Sequence, residues 1–210
     1  MTIIYEDRDI IVVDKKGGLL TVSNDRVSEK TAYFLLTNYV RKGNYKSKNR
    51  IFIVHRLDQE TTGILIFAKT AQAKNYLQDN WQSFKKIYYA AAEGIFAEKE
   101  AIISSYLAEN SAHKMYSVNN PEKGKLAKTA YKVIKESDNH SLLEIELITG
   151  RKNQIRVHLA ERGHPVINDK KYGKKHPGMK HLALQAYSLT ITHPYTKKEM
   201  TFTAKRRQIT

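Results

Sequence analysis

The chain has 210 residues, 41% of them apolar and none of them cysteine, which allows one substantial core and excludes disulfides, thiolate catalysis and cysteine-ligated zinc. Its 36 Lys and Arg against 21 Asp and Glu leave a formal charge of +15, an excess that points to a polyanionic partner, with nucleic acid the commonest in a reducing cytoplasm. No apolar run is long enough to span a bilayer, Met1 to Asp7 lacks the pattern of a signal peptide, and no basic amphipathic helix offers a bulky apolar face to a membrane, so a soluble cytoplasmic protein is expected.

Residues 3 to 22 predict two short strands, Ile3 to Tyr5 and Ile10 to Val13, then a turn at Lys15 to Gly18 before Leu19 to Val22. From Ser28, a plausible N-cap, the period changes. Ala32, Leu35, Leu36 and Tyr39 recur at helical spacing up to about Val40. Arg41 to Arg50 carries five basic residues and no acid, a loop that could touch phosphates or simply be solvated. Ile51 to Val54 and Ile64 to Phe67 read as buried strands around a polar loop closed by Gly63. Ala71 to Phe84 predicts a helix with Ala73, Leu77, Trp81 and Phe84 inward. Lys85 to Gly94 then starts basic, becomes strand-like and ends in a turn.

Ala101 to Leu107 is a further strand, and Ser111 to Lys125 reads as a polar, mobile connection. Lys128 to Lys135 and Leu142 to Ile148 alternate in period two, an antiparallel pair turning near Ser137 to His140. Between Thr149-Gly150 and Gly163 a helix of about three turns is expected, with Ile155 and Leu159 inward and Pro165 preventing continuation. Arg151, Lys152 and Arg156 in its first half oppose the helix dipole and call for a nearby anion, such as the Asp58 carboxylate or a phosphate. Lys170 to Lys180 is a second basic loop. His181 to Thr192 and Glu199 to Ala204 are the last strands, and Lys205 to Arg207 an exposed basic tail. The histidines at 158, 164, 176 and 181 lack a metal-binding spacing and read as structural. With no repeat and no Pro- or Ser-rich linker, residues 1–210 are expected to form one domain.

The loop between the two central strands delivers an imidazole, a guanidinium and a carboxylate within four residues, His55-Arg56-Leu57-Asp58, where flanking strands can hold it rigid. With Thr61-Thr62-Gly63 and Ala68-Lys69 it resembles the signature of the RluA-type family of pseudouridine synthases, with Thr62 for the usual Ser. The resemblance extends to the Lys-x-Tyr-x-Ala element at Lys86, Tyr88 and Ala90. It also takes in Thr149-Gly150-Arg151, Gln154-Ile155-Arg156, His158, Gly163 with Pro165, and Asp169 with Tyr172-Gly173. Three positions depart from the pattern: Lys16 for Pro, Asn153 for His and Asn168 for Gly. The match runs from about Tyr5 to Ala204, and the S4-type RNA-binding module that some relatives carry in front is expected to be absent.

What the resemblance implies is isomerisation of uridine to pseudouridine in structured RNA, ribosomal or transfer, with no cofactor or metal needed; a stem-loop substrate is expected from the small single-domain build, as is a monomer without an obligatory protein partner. Asp58 is then the essential carboxylate, as nucleophile or base, Arg156 its ion-pair partner, and Tyr88 the group packed against the uracil. Adjacent strand residues point to opposite faces, so Tyr89 is the rival to Tyr88. Arg56 would enter the RNA in place of the extruded base. His55, Arg151 and Lys86 are further substrate-binding candidates. The implied fold is α+β, a largely antiparallel mixed sheet with flanking helices and a basic cleft. A non-catalytic RNA-binding module is the alternative. A metal-dependent nuclease would need converging carboxylates, for which Asp58, Glu60 and Asp169 are too scattered.

Overall fold

The computed structural model describes residues 1–23, 29–44 and 46–207. Among them the chain makes three α-helices and eleven strands in an α+β arrangement, and it divides into two compact units, 1–84 with 186–205 and 85–185 with 206–210.

The first unit is built on strands β1 (Thr2–Glu6), β2 (Ile10–Lys15), β3 (Phe52–Ile53) and β4 (Thr62–Ala68). All seven residues of β4 are buried, and from Ile64 to Ala68 it reads as a continuous apolar run without alternation. β2 pairs antiparallel with both β1 and β4, aligning Lys15 with Gly63 and Ile10 with Ala68. The later part of β10 (Leu184–Thr192) also belongs here and pairs antiparallel with β11 (Glu199–Thr203). Helices α1 (Ala32–Arg41) and α2 (Ala71–Asp79) start at Thr31 and Thr70, whose hydroxyls accept from the Phe34 and Ala73 amides, satisfying donors that a helix start otherwise leaves open. Thr31 caps α1; the expected cap Ser28 lies outside the described residues. Leu77 and Phe84 sit with Ile10, Val12, Ile64 and Ile66 in one core cluster, each fully buried aliphatic or aromatic side chain contributing about 1.5–3 kcal/mol.

Two expectations here need correction. The strand placed at Ile51 to Val54 shrinks to two residues, Phe52–Ile53, although Ile51 and Val54 are buried. The helix expected to reach Phe84 stops at Asp79, where the Asn80 amide side chain donates to the Tyr76 carbonyl at 2.8 Å and closes the last turn.

In the second unit the strands are β5 (Lys85–Glu93), β6 (Glu100–Glu109), β7 (Met115–Val118), β8 (Lys125–Ser137) and β9 (His140–Leu147), in the order β5-β9-β8-β6-β7 with antiparallel pairing throughout. The supposed mobile connection at Ser111 to Lys125 therefore contains a strand, since β7 pairs with β6 from Tyr106↔Val118 to Glu109↔Met115. In the basic tail Lys205 and Arg206 are exposed, as expected, and Arg207 is half-buried; the Arg206 guanidinium lies 4.8 Å from the Tyr89 ring centroid and the Arg207 amide donates to Gln185.

Helix α3 (Gln154–Glu161) is shorter than the expected three turns. Asn153 precedes it at φ 52, left-handed backbone that Asn tolerates better than most residues. The Gln154 side chain accepts from the Thr149 hydroxyl and the Arg151 amide, so Arg151 and Lys152 lie in the loop before the helix. Its residues 154 to 159 are all buried, and polar contacts hold it to the strands: His158 Nε2 is 3.0 Å from Ser105 Oγ and Nδ1 2.9 Å from Thr129 Oγ1.

Burial lowers the His158 pKa from 6.5 to about 4, with Glu161 opposing the shift and Arg162 adding to it. Because the folded value lies below the unfolded one, the unfolded chain gains a proton that the folded chain refuses. Stability from this group is complete above pH 6.5 and falls by about 3 kcal/mol as pH drops to about 4. Urea titrations across that window should show a shallower decline for His158→Gln, and parallel declines would refute a buried neutral imidazole.

Candidate active site

The loop carrying Asp58 is held by three residues of one earlier segment of the first unit, Lys15, Gly18 and Thr21. Lys15, with no exposed surface, donates from Nζ to the carbonyls of Leu19 (2.8 Å), Gln59 (2.9 Å) and Lys16 (3.2 Å). Thr21 Oγ1 donates to the Leu57 carbonyl at 2.9 Å and accepts from the Leu57 amide at 3.2 Å. Gly18 donates its amide to the Gln59 carbonyl and accepts from Gln59 Nε2, each at 3.0 Å. The residues on both sides of Asp58 are thus clamped, and the Thr61 amide donates to the Asp58 carbonyl at 3.2 Å. At the loop's end Gly63 has φ +108, and an added Cβ would lie 2.0 Å from the Ala186 carbonyl oxygen, so only glycine fits.

Asp58 is half-buried and Arg56 exposed. His55 Nε2 accepts from the Ile66 amide of β4 at 3.2 Å, and its ring stacks on Trp81 with centroids 4.3 Å apart. These contacts tie His55 to the scaffold. Lys16 is exposed, and its carbonyl serves Lys15 whether or not proline stands there.

In the second unit β5 aligns Tyr88 with Ile145 and Tyr89 with Glu144. Both tyrosines are buried, and alternation sends them to opposite faces. Tyr89 donates its hydroxyl to Glu144 at 3.1 Å and lies under Arg206. Lys86 is on the Tyr88 face and only 5% exposed. Burial pushes its ammonium below the usual lysine range, against the raising influence of Glu146. Arg151 donates from Nε to the Leu126 carbonyl at 3.0 Å.

Arg156 is 8% exposed and grips Asp169 bidentately, Nε to Oδ2 at 2.7 Å and a terminal nitrogen to Oδ1 at 2.8 Å, with the Tyr172 ring centroid 5.2 Å from its guanidinium carbon. Asp169 has no exposed surface, and the Lys171 and Tyr172 amides also donate to it. Burial raises its pKa, but the Arg156 hydrogen bonds and charge, with those two amides, hold it below the usual carboxylate range. Sequence reasoning gave Asp169 no role and missed Lys15 and Thr21 entirely. For Asp169 a signal existed in its place in the Asp-x-x-Tyr-Gly match; Lys15 looked like any turn lysine.

Asn168 has φ +61, which explains a position where the family pattern has glycine. Its amide adds what glycine lacks, donating to the Met179 and His181 carbonyls and accepting from the His176 amide. Asn153 Oδ1 accepts from the Tyr172 hydroxyl at 3.2 Å. Among the described residues one group has metal-like spacing, Asp7, Asp9 and His193. There Asp7 already accepts from the amides of Asp9 and Ile10 and the Tyr5 hydroxyl, and pairs with His193, which marks it as a turn clip.

A family model for RNA pseudouridylate synthase matches residues 9–161. The chain belongs to this family. An uncharacterized RNA pseudouridine synthase of Mycoplasma genitalium is 33% identical over 212 residues, covering 97% of this chain and 66% of that one. The ribosomal large subunit pseudouridine synthase D of Neisseria meningitidis serogroup B is 35% identical over 218 residues, covering 97% and 58%. The chain thus spans less than two thirds of the length of these two family members. In fold it is similar to human RNA pseudouridylate synthase domain containing 4, with a TM-score of 0.79 at 21% identity over 99% of this chain and 89% of that one.

Proposed function

We propose that this protein is an RNA pseudouridine synthase acting on structured RNA, with Asp58 as the essential carboxylate. The observation that carries this reading is that the family match over 9–161 includes a loop whose backbone is clamped immediately before and after Asp58 by Thr21, Gly18 and the buried Lys15. A reaction centre gains from such preorganisation, because a carboxylate held in place loses little freedom when the substrate arrives.

The reaction breaks the bond from ribose C1′ to N1 of uracil, turns the detached base and joins C1′ to C5; the C5 proton is then lost and N1 ends protonated. Nothing is oxidised, and no group donor enters. Asp58 acts on the ribose as nucleophile or base, and the uridine must leave its stack to reach it. By the motif match, Arg156 is that carboxylate's ion-pair partner and directs it, and Tyr88 packs against the base and assists loss of the C5 proton. Arg56, exposed one residue away from the half-buried carboxylate's neighbour Leu57, fills the place of the extruded base. Arg151 and Lys86 serve the substrate at second hand, and the basic loops 41–50 and 170–180 hold phosphates. The name of the Neisseria relative favours large-subunit ribosomal RNA over transfer RNA. One catalytic domain, working as a cytoplasmic monomer, is the simplest form of this proposal, since the family match crosses the boundary between the two units.

Pseudouridine mapping of ribosomal and transfer RNA after incubation with the purified protein tests it. Conversion of particular uridines in excess chelator is the expected result. RNA binding with no converted uridine would favour the non-catalytic module instead.

A further inference from the structure

We infer that the tip of the β6–β7 hairpin and the loop after Asp169 form a binding site for an RNA backbone phosphate; this rests on RNA being the partner, as proposed above. The tip is Asn110-Ser111-Ala112-His113-Lys114 and the loop Lys170-Lys171-Tyr172-Gly173-Lys174-Lys175, eleven residues with five lysines and no carboxylate. The two are joined: Lys171 Nζ donates to the His113 carbonyl at 2.7 Å, and the Met115 amide donates to the Tyr172 hydroxyl at 3.0 Å. Over the Tyr172 ring, Lys114 Nζ lies 5.3 Å and Lys171 Nζ 5.7 Å from the centroid, with the Arg156 guanidinium carbon at 5.2 Å.

Asp169 meets the charge of Arg156, and Glu109 is engaged by Lys152 and His113, so the like charges that repel at this ring are the ammoniums of Lys114 and Lys171. An anion that receives several donors at once relieves that repulsion, and lysine ammoniums suit the oxygens of a phosphate. With cations over its ring, Tyr172 is not a stacking platform, so the site takes charge rather than a base. A surface of freely solvated lysines would lack the bonds that fix hairpin tip to loop.

A phosphate site contributes affinity uniformly across sequences and a defined share of its salt dependence. In binding titrations of the full chain with mixed-sequence RNA stem-loops over a range of KCl, Lys114→Gln and Lys171→Gln should each flatten the slope of log affinity against log salt by roughly 0.7 to 0.9. Each should weaken binding several-fold at low salt, equally for different loop sequences. Lys99→Gln, remote in sequence and paired with Glu136, should change neither. An unchanged slope in Lys114→Gln and in Lys114→Glu, with wild-type melting behaviour, overturns the inference. So does displacement of the RNA by poly-glutamate as effectively as by unlabelled RNA. A slope change in a protein that converts no uridine supports the phosphate site while refuting the catalytic proposal, so the two failures remain distinguishable.

Discussion

Asp58→Asn should lower uridine conversion by about three orders of magnitude or more while leaving RNA affinity within about twofold, because an amide of the same size is neither an anionic nucleophile nor a base. Apart from the Gln59 side-chain amide, the clamps on Leu57 and Gln59 and the Thr61 bond to residue 58 use backbone groups of the loop, so the replacement leaves these clamps in place. Release of tritium from RNA labelled at uracil C5 reads the reaction directly, since only conversion expels that hydrogen. Conversion at the wild-type rate would remove Asp58 from the chemistry.

Asp169→Asn should destabilise the folded protein by about 3–5 kcal/mol, the usual cost of breaking a buried ion pair by removing one partner, because the bidentate grip of Arg156 would meet a neutral amide at a position with no exposed surface. In the wild type the folded pKa of Asp169 lies below the ordinary carboxylate value. Its contribution is therefore complete above the unfolded value of about 3.9 and is lost as pH falls from there through the lower folded value. Urea unfolding at neutral pH and near pH 3 should show the gap between wild type and Asp169→Asn closing on acidification. The double variant Arg156→Met with Asp169→Leu should recover much of the stability, since an apolar pair removes both desolvation costs. An unfolding midpoint for Asp169→Asn equal to wild type would mean that the pair contributes nothing to folding.

Much of the architecture was legible locally. The apolar run Ile64 to Ala68 of β4 and the period-two alternation of β8 and β9 are written in neighbouring residues, and burial of apolar surface converts such patterns into strands with little ambiguity. The misjudged boundaries have local causes too weak to rank beforehand. A single Asn80 side chain ends α2, and a left-handed Asn153 with the Gln154 side chain delays α3. β7 was missed because Met115-Tyr116-Ser117-Val118 is an edge strand with one buried residue, Met115, and its strand character comes from pairing with β6.

By itself the sequence placed an acidic residue at 58 in a loop between apolar strands, because hydrophobic periodicity and motif spacing are properties of adjacent residues, while the α+β fold was implied by its resemblance to a known family. Only the tertiary structure decided which partner each buried charge takes: three carbonyls for Lys15, one of them 44 positions away, and for Arg156 a carboxylate 13 positions on. A charge leaving water needs counter-groups within hydrogen-bonding distance, and which groups come that close depends on how the whole chain packs.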